Sequence, residues 1–198
     1  DISGIKIGLQ YITQRSPEEI KELSKFNKPI FYDGKFFDIK NTLIESIKSL
    51  KELNVNYATV HLLNGLDSLR AANEVANKID IKLLGVSVLT SWDNKDLVTL
   101  GFKDKSKDQV LRLIKIADEA NLYGVISSPL EIKIIKELTP NLKCFTPGIR
   151  QNNSNDDQKR TMTAKEAFDA GSDCLIIGRP ITDGDPKKNI KEILASIK

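Results

Sequence analysis

The chain has 198 residues, 40% hydrophobic and 29% charged, a composition typical of one globular domain over residues 1–198. The net charge is only +3, and because the basic residues are dispersed, nucleic-acid binding is disfavoured. One histidine and two cysteines argue against a disulfide scaffold or a zinc site. No apolar run approaches the ~18 residues that span a bilayer, and the N-terminus does not resemble a signal peptide. Cys144 and Cys174 lie in apolar runs, as expected of buried thiols in the cytoplasm.

Short apolar segments rich in Val, Ile and Leu recur along the whole chain and predict strands. They cover residues 5–11, 29–36, 57–63, 82–89, 124–128, 142–147 and 173–178.

Each predicted strand is followed by a stretch with helical spacing of its apolar residues. The first of these stretches begins with Ser16 as N-cap, Pro17 as first helical residue and two acidic residues in the first turn. The predicted helices cover residues 16–26, 39–54, 67–78, 105–122, 129–138, 163–171 and 186–198.

Apolar strands that alternate with helices indicate a parallel sheet covered by helices. The first strand is not followed by the G-x-G-x-x-G pattern of dinucleotide-binding folds. Polar residues instead collect at the strand ends, which favours a (β/α)₈ TIM barrel. Such a barrel needs eight strands and the sequence offers seven, with only four residues before the first. We therefore expect the first barrel strand to be missing from the chain.

The segment 31–42 carries the most informative polar residues. Asp33 and Lys35 are two positions apart on a predicted strand, so their side chains share one face. Asp38 follows where the strand should give way to a loop. Two carboxylates that flank one ammonium would keep the lysine protonated and oriented, as a general acid requires. A surface strand with alternating charges is the alternative interpretation.

Further candidates lie at the ends of other predicted strands. Lys6 alternates with Ile5 and Ile7, so it could point inward, although a lone lysine is more often solvated. Thr90 and Ser128 follow two other strands and could place hydroxyls at the mouth of a barrel. His61 is more often a hydrogen-bonded strand-end residue than a catalyst.

A second group of candidates lies near the C-terminus. Residues 146–163 form a long polar connection of the kind that often acts as a lid or binding loop. Gly178 and Arg179 end the last predicted strand. In barrels the loops after the last two strands commonly hold a phosphate through backbone N–H groups and an arginine. Arg179 and Gln158 are therefore candidate phosphate ligands, and Gly178 is a candidate substrate contact. The alternative is an arginine paired on the surface and an ordinary mobile loop.

Together these segments resemble the orotidine 5′-phosphate decarboxylase family over essentially the whole chain. Three motifs carry the resemblance: D-x-K-x-x-D-I-x-N-T, T-P-G-I-R followed by D-Q, and G-R-P-I-T. They are present here as residues 33–42, 146–150 with 157–158, and 178–182.

The resemblance implies a cofactor-free enzyme that converts orotidine 5′-monophosphate to UMP and CO₂ in de novo pyrimidine biosynthesis. It implies a homodimer with shared active sites, in which Asp38 and Thr42 would act in the neighbouring subunit. Lys35 would protonate C6 of the pyrimidine, and Asp33 would lie near the departing carboxylate. For the remaining positions it implies contacts to ribose, base or phosphate by Lys6, Ser128, Pro147, Gln158 and Arg179. Neither a metal nor an organic cofactor is expected.

The sequence departs from the family pattern in two places. Lys40 stands where the family usually has proline, and the expected first strand would carry an aspartate that binds ribose. Two rivals remain. One is a magnesium-dependent sugar-phosphate decarboxylase or aldolase of the same superfamily, which shares D-x-K-x-x-D. The other is a truncated, non-catalytic phosphate-binding barrel.

Overall fold

The computed structural model describes residues 2–103, 105–150 and 161–197, in which strands and helices alternate. The strands are β1 (Ile5–Gly8), β2 (Ile30–Phe36), β3 (Tyr57–His61), β4 (Lys82–Val86), β5 (Gly124–Ile126), β6 (Lys143–Thr146) and β7 (Cys174–Leu175). The α-helices are α1 (Leu9–Gln14), α2 (Pro17–Lys21), α3 (Lys40–Ser49), α4 (Leu66–Lys78), α5 (Asn94–Thr99), α6 (Ser106–Glu119), α7 (Ile132–Leu138), α8 (Ala164–Asp169), α9 (Arg179–Thr182) and α10 (Pro186–Ile197). Short 3₁₀ helices cover Glu22–Phe26, Leu50–Leu53, Leu62–Asn64 and Pro129–Glu131.

The chain forms two compact units. The first comprises Asp1–Val86 and Ile116–Gly124, and the second comprises Ser87–Lys115 and Val125–Lys198. The prediction of a single domain over residues 1–198 therefore stays a prediction.

In the first unit β1, β2, β3 and β4 pair in chain order and every pair is parallel. The apolar runs predicted this arrangement because parallel strands are covered on both faces and need apolar residues throughout. The largest fully buried side chains of this unit come mostly from strands and helices: Ile30, Leu43, Ile47, Leu62, Leu69, Ile81, Leu83 and Leu84. The carboxyl ends of the four strands lie side by side because their directions agree.

In the second unit β6 pairs with β7 in parallel, with Phe145 opposite Cys174. The backbone N–H of Ser127, just after β5, donates to the Phe145 carbonyl at 3.2 Å. The helices of this unit bury Leu97, Ile114, Ile132 and Ile135 completely or almost so. Both units thus build the α/β layering that the alternating pattern predicts.

The structure shortens the predicted strands and adds three helices. The predicted first strand, residues 5–11, ends at Gly8, because Gly8 is the N-cap of α1 and Leu9 already lies on that helix. Sequence reasoning missed α1, α5 and the four-residue α9. A signal for α5 was present, since Asp93 and Asp96 form a capping box at its start.

Candidate active site

The regular pairing of β2 with β3 is interrupted between Tyr32 and Phe36. Three residues of β2, Asp33–Lys35, there lie opposite the single residue Thr59 of β3. Such a bulge redirects side chains and is frequent beside functional sites. The sequence pattern predicted a regular strand with Asp33 and Lys35 on one face, so the bulge is a correction to that prediction.

The bulge places a glycine at position 34 close to the Tyr32 ring and a strained backbone at position 35. A Cβ atom on Gly34 would lie 2.7 Å from a ring carbon of Tyr32, whose ring stacks on Phe36 at 5.7 Å between centroids. Lys35 has φ +48°, in the left-handed region that costs an L-residue roughly 1 kcal/mol. The backbone N–H of Lys35 is held by Thr59 Oγ1 at 2.8 Å, which stabilises this conformation.

Four side chains meet at the bulge, and we call them the Asp33 cluster: Lys6, Asp33, Lys35 and Thr59. Lys6 Nζ donates to Asp33 Oδ2 at 2.7 Å, and Lys35 Nζ donates to Oδ1 at 2.9 Å. The Thr59 hydroxyl donates to Oδ1 at 3.0 Å. The Asp33 side chain is 11% exposed and each lysine side chain 34%, so the lysines remain accessible from solvent while the carboxylate is enclosed.

The electrostatics of the cluster keep Asp33 ionised. Burial alone would raise the pKa of Asp33, but the charges of Lys6 and Lys35 outweigh burial and hold the pKa below its ordinary value. The sequence predicted one ammonium between two carboxylates. Within one copy of the chain the structure shows the reverse, one carboxylate between two ammonium groups.

Lys6 reaches Asp33 from the neighbouring strand, because Gly8 of β1 pairs directly with Asp33 of β2. A Cβ atom on Gly8 would lie 3.3 Å from Lys6 Nζ, so the glycine leaves room for the lysine. The alternative interpretation of Lys6 as an unpaired, solvated lysine is therefore wrong, although its contact with ribose stays a prediction.

Asp38 lies on the loop after β2 and is exposed. Its Oδ1 accepts a hydrogen bond from the N–H of Ile39 at 2.7 Å. In the described part of the chain Asp38 forms no ion pair with Lys35. Thr42 lies in the first turn of α3 and is also exposed. One copy of the chain therefore does not bring Asp38 or Thr42 to the Asp33 cluster.

Asn64 fastens the loop that carries Asp38. Its Nδ2 donates to the carbonyls of Phe36 at 2.9 Å and His61 at 2.8 Å, and its Oδ1 accepts from the N–H of Asp38 at 3.1 Å. Sequence reasoning missed this residue. The only signal was its place after β3, where the chain reads L-L-N-G.

We expect Asn64→Ala to loosen the Asp38 loop, because three hydrogen bonds to backbone groups disappear together. Amide exchange measured by NMR should show the Asp38 N–H exchanging about tenfold faster, since one hydrogen bond contributes about 1 kcal/mol. Asn77→Ala, at an exposed position on α4, is the matched control and should leave that rate unchanged. An Asp38 exchange rate that is equal in both variants would contradict this role of Asn64.

His61 ends β3 as a hydrogen-bonded residue. Its Nδ1 accepts from the N–H of Leu63 at 3.3 Å, and its ring lies 5.5 Å from that of Phe37. Burial lowers the pKa of His61, and the positive charge of Lys35 lowers it further. The imidazole is therefore neutral near pH 7, with its proton on Nε2 because Nδ1 is an acceptor.

The lowered pKa of His61 makes stability depend on pH. Because the unfolded chain binds this proton more readily, we expect the free energy of unfolding to fall as pH drops from above 6.5, the ordinary pKa. Chemical unfolding at about pH 7.5 and about pH 5.5 measures the loss. His61→Gln should lose less stability over this interval. An equal loss in both proteins would assign the pH dependence to other groups.

Ser128 follows β5 and caps the 3₁₀ helix Pro129–Glu131. Its Oγ accepts from the N–H of Leu130 at 3.3 Å, and its own N–H donates to the carboxylate of Glu131 at 3.2 Å. Ser128 is 1% exposed. Neither of these two hydrogen bonds uses the hydroxyl proton of Ser128, and contact of Ser128 with a ligand stays a prediction.

Backbone pairing joins the two ends of the polar connection after β6. Ile149 and Met162 form a parallel bridge, in which the N–H of Arg150 donates to the Met162 carbonyl at 2.9 Å. Pro147 lies half-buried before this bridge. The predicted phosphate ligand Gln158 lies outside the described residues.

The remaining predicted ligands belong to the second unit. Thr90 is half-buried after β4. Gly178 and Arg179 are exposed at the start of α9. The strand pattern predicted a strand up to residue 178, but β7 ends three residues earlier, at Leu175. Among the described residues, a Cβ atom added to Gly178 would meet nothing within 4 Å. Their roles in binding stay predictions.

The described residues contain neither a candidate metal site nor a candidate membrane span. Across residues 2–103, 105–150 and 161–197, no three His, Cys, Asp or Glu side chains lie close enough together to hold a metal ion. Over the same ranges, every helix is too short or too polar to cross a membrane.

Comparison with known proteins identifies relatives over the whole chain. The family model described as orotidine 5′-phosphate decarboxylase / HUMPS family matches residues 1–193. The orotidine 5′-phosphate decarboxylase of Wolbachia pipientis subsp. Culex pipiens (strain wPip) is 41% identical over 98% of this chain and 86% of that protein. The protein of the same name from Ehrlichia canis (strain Jake) is 38% identical over 99% of this chain and 87% of that protein.

Solved structures agree with the sequence relatives. The crystal structure of orotidine 5′-phosphate decarboxylase from Lactobacillus acidophilus superposes with a TM-score of 0.86 at 32% identity, covering 98% of this chain and 86% of that one. The Methanocaldococcus jannaschii enzyme, complexed with inhibitor BMP, has a TM-score of 0.80 at 23% identity and covers 100% of this chain and 87% of that one; it supports the fold alone. The predicted α/β fold class is confirmed. On the family match and these identities, the chain belongs to the orotidine 5′-phosphate decarboxylase / HUMPS family.

Proposed function

We propose that the chain decarboxylates orotidine 5′-monophosphate to UMP and CO₂, the last step of de novo pyrimidine biosynthesis. The observation that carries this proposal is the ionised Asp33 held between Lys6 and Lys35. The shared name of relatives at 38–41% identity supports it. The reaction creates negative charge on C6 of the pyrimidine, so a site for it must present fixed cations.

The proposed chemical step uses Asp33 and Lys35. The bond between C6 and the substrate carboxylate breaks, the electron pair stays on C6, and the carboxylate leaves as CO₂. Lys35 delivers a proton to C6 and regains one from water. The carboxylate of Asp33 disfavours the substrate carboxylate beside it, while the ion pair with Asp33 holds the Lys35 ammonium in place.

Binding of the rest of the nucleotide falls to the other predicted residues. We assign ribose contact to Lys6, contacts around the pyrimidine to Thr90, Ser128 and Pro147, and the phosphate to Gln158, Gly178 and Arg179. Because the phosphate does not react, its binding energy is available to orient and desolvate the reacting ring. The scheme needs neither metal nor organic cofactor.

The surface around Asp38 supports a homodimer with shared sites. Phe37 is 62% exposed and Ile39 73%, so two large exposed apolar side chains flank the exposed carboxylate of Asp38. A second copy of the chain would cover the apolar pair and receive Asp38 and Thr42 at its own Asp33 cluster. The free thiols of Cys144 and Cys174 suit a cytoplasmic enzyme.

The choice of substrate tests the proposal against its closest rival. The purified chain should decrease the orotate absorbance of orotidine 5′-monophosphate as it converts this substrate to UMP, and it should leave 3-keto-gulonate 6-phosphate unchanged. Turnover of the sugar phosphate alone would assign the chain to the magnesium-dependent branch. Tight binding of a UMP analogue without turnover of either compound would make it a binding protein.

A further inference from the structure

We propose that Thr59 is a positioning residue of this active site, whose hydroxyl aligns Asp33 and Lys35 without touching the substrate. The inference rests on the proposed function, in which those two residues perform the chemistry. Neither the D-x-K-x-x-D motif nor the strand pattern singles out Thr59, which lies 26 residues from Asp33 in sequence.

The two hydrogen bonds of Thr59 fix the direction of its hydroxyl. The oxygen accepts from the backbone N–H of Lys35 at 2.8 Å, so the single hydroxyl proton is free to donate to Asp33 Oδ1 at 3.0 Å. One small group therefore holds the backbone of the proposed acid and the side chain of its carboxylate partner at the same time.

Burial separates Thr59 from any ligand. Its exposed fraction is 0%, as are those of Ala58 and Val60 on either side. On the other edge of β3 it pairs with Leu84 of β4 in regular register. Thr59 is therefore held rigidly from both sides of the strand, and it can influence a substrate only through Asp33 and Lys35.

The hydroxyl stabilises a conformation that is otherwise unfavourable. Lys35 lies at φ +48°, and without Thr59 Oγ1 its N–H would lose the acceptor that compensates this strain. Asp33 Oδ1 would retain only the ammonium of Lys35. The bulge would then relax, and displacing a reacting group by about 1 Å can cost about 10²-fold in rate.

Thr59→Val removes the hydroxyl at nearly constant volume, and Thr59→Ser keeps it. We expect kcat of Thr59→Val to fall about thirtyfold with KM within about twofold, because ground-state binding does not involve Thr59. Thr59→Ser should stay within about threefold of the wild type. Should Thr59→Val fail to fold, Thr59→Cys offers a similar volume with a much weaker donor. The kcat of Thr59→Cys should lie between the values expected for Thr59→Val and Thr59→Ser.

Titration of the Asp33 carboxylate provides a readout that is independent of turnover. In ¹³C NMR the pKa of Asp33 should be higher in Thr59→Val than in the wild type, because a donor to the charged form is lost, and unchanged in Thr59→Ser. Thr139→Val is the control, since Thr139 is also buried but donates to the Ile135 carbonyl within its own unit; it should change neither kcat nor that pKa.

The outcomes separate this inference from the proposed function. A wild-type chain that does not turn over the nucleotide overturns the proposed function, while the titration still decides whether Thr59 orders the cluster. An unchanged Asp33 pKa in Thr59→Val overturns the inference. So does an equal loss of kcat in Thr59→Ser and Thr59→Val, because the methyl group rather than the hydroxyl would then be responsible.

Discussion

Lys35→Ala is expected to lower kcat for orotidine 5′-monophosphate by about 10⁵-fold, because it removes both the proton donor and a fixed cation. The ammonium lies 2.9 Å from Asp33 Oδ1 and is one-third exposed, so it is oriented and yet accessible. Without it, Asp33 keeps only Lys6 as a charged partner, and a carbanion at C6 has no acid beside it. The bleaching of orotate absorbance measures the rate.

Lys48→Ala is the matched control for this experiment. Lys48 lies on α3, is half exposed, and forms an ion pair with Glu45 in the turn before it, so its loss should leave kcat unchanged. Turnover by Lys35→Ala at a rate close to that of the Lys48→Ala control would contradict the assignment of Lys35 as the acid.

Co-expression of two inactive variants is expected to restore activity, because Asp38 lies away from the Asp33 cluster of its own chain. Lys35→Ala and Asp38→Ala should each be inactive alone. In a mixed dimer one site contains the intact Lys35 of one chain and the intact Asp38 of the other. With random pairing of equal amounts, about a quarter of all sites, and hence about a quarter of wild-type activity, should return.

The same design separates a shared site from one formed by a single chain. Asp67→Ala, an 85% exposed carboxylate paired with Lys40, should be active alone and serves as the control for replacing an acidic residue near α3. A mixture of Lys35→Ala and Asp38→Ala that stays as inactive as its components would show that Asp38 does not act in a neighbouring subunit.

The sequence predicted the parts of the site that depend on local pattern. The alternation of apolar strands and helices identified all seven strands of the described residues, and the short spacing of Asp33 and Lys35 placed both on β2. Lys6 could be proposed because strand alternation set it apart from its two apolar neighbours. These features follow from residues close together in sequence.

The parts that the sequence did not predict depend on register between strands. The contact of Thr59 with Asp33 exists because a bulge places three residues of β2 opposite one residue of β3, and no local pattern encodes that register. Asn64 likewise follows β3 in the sequence, but it forms hydrogen bonds with backbone groups of Phe36 and Asp38, which lie at and just after the end of β2. The position of Asp33 between two ammonium groups also depends on the pairing of strands, because Lys6 reaches Asp33 from β1.

We expect the chain's own residues to decarboxylate orotidine 5′-monophosphate without a bound metal or cofactor. The most direct test of this expectation is the rate of UMP formation by the wild-type chain before and after exhaustive treatment with EDTA and dialysis. We expect the same kcat in both preparations, with one CO₂ released for each UMP formed. A rate that vanishes after EDTA and returns with Mg²⁺, or the absence of UMP in both preparations, would contradict this expectation.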